Sequence, residues 1–208
     1  MDKNFIIGIP LRDFRDPMTR LSSDINLDAR INLMKHMFLN IVKSFQETNV
    51  EIFSITKDSS VIDYSKKIGI ESFISKSKGL SEEAIEFLNS NKKYKGWTIC
   101  HADLPYITKY YAKNWINECM NNEILICESK DSGTPLIGGK NYIESFHYGK
   151  NSYKKHTEML NNKNINYKKV FHKELSFEVD DLEDYKQLVK NQPRWLRKIS
   201  NTSSPDRI

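Results

Sequence analysis

Cysteine, glycine and long hydrophobic runs are scarce in this sequence. Its 208 residues contain three cysteines, eight glycines and six prolines. Cys100, Cys119 and Cys127 are odd in number and lack CxxC spacing, so we expect reduced packing residues rather than a disulfide framework. The five histidines show no zinc-ligand spacing, which argues against a structural zinc site. No apolar run approaches the roughly 18 residues that a membrane-spanning helix needs, so we expect no membrane partner.

Two phosphate-binding motifs are also missing. The sequence contains neither GxxxxGKS/T nor GxGxxG, which argues against a P-loop NTPase and against a Rossmann dehydrogenase. No basic stretch with a longer apolar segment precedes the first predicted strand, so we identify no secretory signal and expect a cytoplasmic protein. The net charge of +5 suits an enzyme for anionic phosphorylated substrates, although solubility alone accounts for such a charge more often.

Segments typical of strands and helices alternate along the chain, which indicates an α/β fold with a mostly parallel sheet. Strands are predicted at residues 5–9, 50–55, 70–74, 97–100, 123–127 and 167–179. Helices are predicted at residues 27–46, 61–67, 80–88, 108–120, 151–161 and 182–189, and residues 131–149 are predicted to be rich in loops. We expect a single domain over residues 1–190, followed by a polar, basic C-terminal tail over residues 191–208.

The segment at residues 97–105 has the sequence WTICHADLP and carries the first candidate residue. Its apolar start is typical of a strand buried in a parallel sheet, so Asp103 lies just beyond the strand's carboxyl end. Open α/β sheets bind ligands there, and a carboxylate at that edge can hold a hard cation beside a phosphate. The alternative is an aspartate that only caps the next helix.

The loop after the first strand contains three arginines, Arg12, Arg15 and Arg20. A loop between a strand and a helix is where α/β proteins place phosphates. Because a guanidinium is planar, always charged and donates in a fork, such a loop can hold a triphosphate without a glycine-rich cradle. The alternative is a solvated surface loop.

Two further segments are candidates for binding small anions. One contains Gly133 and Thr134, where backbone N–H groups lie beside a hydroxyl, although a turn of this kind is more often only a turn. The other contains Gly149, Ser152 and His156, with the serine near a helix start. For His156 alone, a solvated helix residue is the more frequent explanation.

Glu178 and Asp180 lie two positions apart at the end of the last predicted strand, so their side chains point to one face. Like charges so placed repel unless a cation lies between them. Together with Asp103 they could form a carboxylate cage for magnesium. The alternative is a capping cluster that never meets Asp103, and capping is our interpretation of Asp181 and Glu183.

The order of these segments resembles the 2-phospho-L-lactate guanylyltransferase family over about residues 5–190. The family includes enzymes that act on phosphoenolpyruvate and 3-phosphoglycerate in biosynthesis of the deazaflavin coenzyme F-420. Its motifs are matched by Pro10, Arg12 and residues 17–21, by residues 102–105, by residues 132–135, by Gly149, Ser152 and His156, and by residues 178–180 and 183–185.

The resemblance implies a single-domain, three-layer nucleotidyltransferase fold, Rossmann-like and GT-A-like, that transfers GMP from GTP to a small phosphorylated three-carbon acid with release of pyrophosphate. It implies GTP binding by Pro10, Arg12, Arg20, Gly79, Ser81 and Asp103, and acceptor binding by Gly133, Thr134, Gly149 and Ser152. It implies magnesium held by Asp103, Glu178 and Asp180, with Asp103, Asp180 and Arg20 as the catalytic residues.

Four positions depart from the family pattern. Arg12 and Met18 stand where the family has lysines, Pro135 replaces an asparagine, and Glu178 replaces an aspartate. Two alternatives therefore stay open: another nucleotide or another phosphorylated or sugar acceptor, and an inactive paralogue that only binds nucleotide. A nucleic-acid partner is not expected, since a short basic terminus is usually solvated, and assembly into a homodimer is left open.

Overall fold

A seven-stranded sheet organises the chain, which a computed structural model describes over residues 3–200. The strands are β1 (Phe5–Pro10), β2 (Val50–Ile55), β3 (Glu71–Phe73), β4 (Gly96–Cys100), β5 (Ile124–Cys127), β6 (Leu136–Gly139) and β7 (Tyr167–Val170). The helices are α1 (Leu27–Gln46), α2 (Ser59–Lys67), α3 (Leu80–Ser90), α4 (Lys109–Asn121), α5 (Ser152–Asn162), α6 (Lys173–Ser176), α7 (Leu182–Lys190) and α8 (Arg194–Ser200), with a short 3-10 helix at Thr19–Leu21.

The strand order is β3-β2-β1-β4-β6-β5-β7, and the sheet is parallel except at one strand. Strand β6 runs antiparallel to both β4 and β5. The predicted mostly parallel α/β sheet is therefore confirmed. It brings the carboxyl ends of β1, β2 and β4 to one edge, which is where ligands bind in open α/β sheets.

Strand β6 is absent from the sequence prediction, which assigned its residues to a loop-rich region. The prediction was wrong because the strand ends in Gly138 and Gly139, and glycine is depleted in strands. Both glycines are required by close packing: a Cβ at Gly138 would clash with the backbone of Trp97, and one at Gly139 with the backbone of Glu123. The neighbouring strands thus approach too closely for any side chain.

Helices cover both faces of the sheet and form two hydrophobic cores, which gives the predicted three layers. Along β1, Phe5, Ile7 and Ile9 contribute to the core beneath α1, whereas Ile6 contributes to the core beneath α3 and α5. Helix α1 has the predicted bounds, and the Asn26 side chain caps it by accepting from the Ala29 N–H at 2.9 Å. The three cysteines are buried and unbridged, as expected.

The prediction of a long strand over residues 167–179 is wrong. Strand β7 ends at Val170, helix α6 follows, and Phe177 leads into a segment outside the sheet. Leu175, Phe177 and Val179 are buried at alternate positions, which mimics a strand in the sequence. In the structure the Val179 N–H donates to the Asp103 carbonyl at 3.2 Å, so this segment lies against the residues that follow β4.

The first residues of the predicted C-terminal tail pack on the domain. Helix α8 lies within it, the Trp195 indole N–H donates to the Pro105 carbonyl at 2.8 Å, and its ring stacks on His36. Residues 201–208 of the predicted tail lie outside the described residues. Over residues 3–200, no helix combines the length and the apolar character needed to cross a bilayer.

Candidate active site

Two adjoining cavities open at the carboxyl edge of the sheet. The larger, of about 660 Å³, lies between the loop after β1, the end of β2 and the start of α3. The smaller, of about 510 Å³, extends from the same loop to His101 and Asp103 after β4. Both are lined by residues 10–13 and by Leu80, so they form one continuous crevice. Its position is the one predicted for ligand binding in an α/β sheet.

Asp103 meets Glu178 beside the smaller cavity. One ligand atom from each of His101, Asp103 and Glu178 lies within 4.8 Å of the others, and the same holds for Asp131, Glu178 and Asp180. Glu178 belongs to both groups. The structure thus brings Asp103 and Glu178 together, and it adds His101 and Asp131, which sequence reasoning missed. The signal for His101 was its place two positions before Asp103.

Burial and mutual repulsion shift the protonation of this cluster. Burial, followed by the charge of Glu178, raises the pKa of Asp103 to about 7. The same two causes raise the pKa of Asp180, and Arg20, 3.7 Å away, opposes the shift. Burial would lower the pKa of His101, but Glu178, whose Oε1 lies 2.6 Å from Nδ1, outweighs it and raises the pKa to about 9. The cluster therefore carries more negative charge than its surroundings balance.

A divalent cation fits this cluster. Within residues 3–200, Asp103 Oδ1 is among the buried polar atoms without a hydrogen-bond partner, and it lies beside Glu178. Buried polar atoms are normally paired, so an unpaired carboxylate oxygen beside a second carboxylate fits a cation ligand. The carboxylates of Asp103, Glu178 and Asp180 offer the hard oxygen atoms that magnesium and manganese prefer.

The arginine loop presents exposed guanidinium groups at the larger cavity. The side chains of Arg12 and Arg15 are 97% and 80% exposed, and both residues line that cavity. Arg20 lies elsewhere, beside Asp180, and outside the lining of both cavities. Sequence reasoning missed the anchor of this loop, Arg30 of α1. Its buried guanidinium donates to Asp16 at 2.6 Å and to the Pro17 carbonyl at 2.5 Å.

Gly79 and Ser81, at the start of α3, make different contacts. Gly79 lines the larger cavity and has a φ of +102°, a conformation that favours glycine. Ser81 lies outside the lining of both cavities, and its hydroxyl accepts from the Tyr148 N–H at 2.9 Å. Ser81 therefore joins the start of α3 to the loop that contains Gly149.

Thr134, Ser152 and His156 form a buried polar cluster. The backbone N–H of His147 donates to His156 Nε2 at 2.9 Å, so Nδ1 carries the imidazole proton and donates to Thr134 Oγ1 at 3.0 Å. Burial lowers the pKa of His156 to about 3, and nearby positive groups add to the shift. Ser152 also donates to Thr134 Oγ1, at 3.1 Å. The explanation of His156 as a solvated residue is thus wrong, and the Thr134 hydroxyl proton is left for a further acceptor.

This polar cluster adjoins the carboxylates. The ring of Tyr148 lies 5.4 Å from that of His101 and 5.1 Å from that of His156, measured between centroids. A Cβ on Gly133 would lie 3.5 Å from Glu178 Oε2. Gly149, with a φ of +105°, has open space at its Cβ position. The residues predicted for acceptor binding therefore lie near the carboxylates and outside the lining of the two cavities.

Comparisons with known proteins identify relatives of this chain. The 2-phospho-L-lactate guanylyltransferase of Methanosphaera stadtmanae is 27% identical over 192 residues, which cover 87% of this chain and 82% of that protein. A protein from Desulfovibrio desulfuricans G20 assigned as a nucleotide-diphospho-sugar transferase superposes with a TM-score of 0.80 at 14% identity, covering 97% of this chain and 91% of that chain.

A second solved structure carries a metal. Rv0371c from Mycobacterium tuberculosis H37Rv, in complex with manganese, superposes with a TM-score of 0.56 at 12% identity, covering 89% of this chain and 98% of that chain. At this identity the likeness concerns the fold alone.

The model of the family described as CofC-like guanylyl transferases matches residues 5–207. The chain therefore belongs to the CofC-like guanylyl transferase family and is a nucleotidyl transfer enzyme.

Proposed function

We propose that this chain transfers GMP from GTP to a small phosphorylated acid and releases pyrophosphate. Candidate acceptors are 2-phospho-L-lactate, which the relatives' name specifies, phosphoenolpyruvate and 3-phosphoglycerate, and the pathway is that of coenzyme F-420. One observation carries the proposal: the Asp103 and Glu178 carboxylates lie between a crevice with exposed arginines and a buried cluster of hydroxyl donors. A transfer between two phosphates needs this order of groups.

The nucleotide is assigned to the side of the arginine loop. Arg12 and Arg15 would neutralise the triphosphate, and the fixed turn at Gly79 lets the backbone approach it closely. Pro10 ends β1 at the floor of both cavities. Arg20, beside Asp180, lies nearer to the carboxylates and would hold a reacting phosphate oxygen there.

The acceptor is assigned to the other side. Thr134 has a hydroxyl proton to donate, and Ser152 and His156 hold its oxygen in place. Gly149, which flanks this cluster, leaves space for a small carboxylate or phosphate, whereas Gly133 packs against Ser129 and could contribute only backbone contacts. Because a three-carbon acid carries both groups, it would present its carboxylate to these donors and its phosphate to the centre.

The reaction itself requires little from protein side chains. An oxygen of the acceptor phosphate forms a bond to the α-phosphorus of GTP, and the bond from that phosphorus to the bridging oxygen of pyrophosphate breaks. No proton has to be removed, because the attacking phosphate is already ionised near neutral pH. Magnesium or manganese held by Asp103, Glu178 and Asp180 would stabilise the charge that develops on the phosphate oxygens.

Pyrophosphate release and product mass test this proposal. Each of the four ribonucleoside triphosphates is combined with each of the three acceptors in magnesium buffer. We expect a guanylylated product from GTP with one acceptor. A product formed only from another nucleotide would show a related nucleotidyl transfer and contradict guanylyl transfer. Nucleotide binding without any product across the panel would contradict the proposed catalysis.

A further inference from the structure

The larger cavity has a charged pair on its wall. Lys57 follows β2 and Glu83 lies in the first turn of α3, and both line this cavity. Lys57 Nζ lies 3.3 Å from Glu83 Oε1, with the two side chains 41% and 23% exposed. The pair thus presents a donor and an acceptor side by side at the end of the crevice away from the carboxylates.

A folded loop holds this pair in position. Glu86 accepts from the Ser75 hydroxyl at 2.6 Å and from the backbone N–H groups of Lys76 and Ser77 at 3.0 and 2.9 Å. These hydrogen bonds, with that of Ser75 first, lower the pKa of Glu86 to about 2. The loop between β3 and α3 is therefore closed on itself. Its Ser77 carbonyl accepts from the Lys57 ammonium group, which fixes that side chain beside Glu83.

The other carboxylates of the larger cavity are already engaged. Asp58 caps α2, accepting from the N–H groups of Ser60 and Val61, and also pairs with Arg15. Asp13 accepts from the Arg15 N–H and from the Asp16 N–H within its own loop. Among the residues that the structure describes, Glu83 is thus the acid of this cavity whose hydrogen-bonding capacity is least used by the fold.

We propose that Lys57 and Glu83 select guanine, an inference that rests on GTP as the proposed co-substrate. Guanine presents acceptors at O6 and N7 and donors at N1 and the 2-amino group. An ammonium group donates to O6, and a carboxylate accepts from N1–H and the 2-amino group together. Adenine would place its 6-amino donor against Lys57 and offers nothing to Glu83, so the pair rejects it.

Replacing Glu83 tests this assignment. Affinities for GTP, ITP and XTP are measured by competition against a fluorescent GTP analogue, because ITP lacks the 2-amino group and XTP carries a carbonyl there. In Glu83→Gln we expect GTP binding to weaken roughly 10- to 100-fold. The GTP-to-ITP preference should fall towards one, and XTP should gain relative to GTP because the amide N–H can donate to the 2-carbonyl.

Two further variants sharpen the test. Glu82→Gln, an exposed neighbour outside the cavity lining, serves as the matched control and should keep the wild-type preferences. Lys57→Met should weaken GTP and ITP by similar factors, since both bases carry O6. A loss of folding would weaken the binding of all nucleotides alike, whereas Glu83→Gln is expected to change the GTP-to-ITP ratio and Lys57→Met is expected to leave that ratio unchanged.

Wild-type preferences retained in Glu83→Gln would overturn the inference, as would a wild-type protein that binds ATP as tightly as GTP. Binding separates this result from that of the proposed reaction. Selective GTP binding through Glu83 without any transfer would support the base assignment and contradict the reaction. Guanylyl transfer by the wild type, with unchanged nucleotide preferences in Glu83→Gln, would support the reaction and contradict the base assignment.

Discussion

Acid should destabilise the fold through one buried side chain, His156. Its imidazole is fully buried and neutral, and burial lowers its pKa from 6.5 to about 3. The unfolded chain therefore binds a proton that the folded chain excludes. The stability from this group is fully present above pH 6.5 and is lost as the pH falls towards 3. From pH 7.5 to pH 5.0 the linkage relation gives a loss of about 2 kcal/mol.

Urea unfolding at these two pH values measures the effect. The variant His156→Asn retains a donor for Thr134 but has no imidazole to protonate. We expect it to be less stable than the wild type at pH 7.5 and to lose about 2 kcal/mol less between pH 7.5 and pH 5.0. Comparing the two proteins is essential because Asp103, whose pKa is raised, shifts stability with pH in the opposite direction over this range.

His172→Asn, a change at an exposed histidine, provides the control and should keep the wild-type pH dependence. Equal losses in the wild type and His156→Asn would refute the reasoning, since they would mean that His156 binds a proton as readily in the folded state as in the unfolded chain. If the wild type loses clearly more unfolding free energy than the variant between pH 7.5 and pH 5.0, the result supports a neutral His156 with its proton on Nδ1. The assignment of Thr134 as a donor depends on this form.

Three further predictions concern the site and the sheet. Asp103→Asn should abolish calorimetric manganese binding and lower turnover about 10²- to 10³-fold with the fold intact, while Asp24→Asn, an exposed control, should change neither. Arg30→Met should raise the KM for GTP severalfold with a smaller effect on kcat, because the arginine loop loses its anchor. Gly139→Ala should lower the stability by about 1 to 3 kcal/mol in thermal unfolding, since a Cβ meets the backbone of Glu123.

Local sequence signals predicted the elements that local interactions determine. Helix α1 was predicted at its observed bounds because its apolar positions repeat with helical spacing and either Asn26 or Asp28 could cap its start; the structure shows Asn26 as the cap. The position of Asp103 followed from the buried run of β4. Strand β6 could not be found in this way, because Gly138 and Gly139 are selected by the approach of neighbouring strands, which is a long-range constraint.

The site was predicted less completely, for the same reason. Glu178 was expected at a strand end, yet it reaches Asp103 through a segment outside the sheet whose Val179 N–H bonds to the Asp103 carbonyl. The buried anchor Arg30 gave no signal, since an arginine within a long helix is usually solvated. These contacts depend on how segments distant in sequence pack together, so local sequence spacing does not predict them.

The two histidines beside Tyr148 show how the fold separates charge across the site. His101 faces Glu178, and its pKa rises to about 9, whereas the buried His156 accepts from a backbone N–H, and its pKa falls to about 3. Near neutral pH the first is charged and the second is neutral. Charge therefore concentrates at the carboxylates, where phosphates and a cation are expected to meet. The cluster around Thr134 instead presents neutral donors of fixed direction, so it should recognise an acceptor by hydrogen-bond geometry and size rather than by net charge.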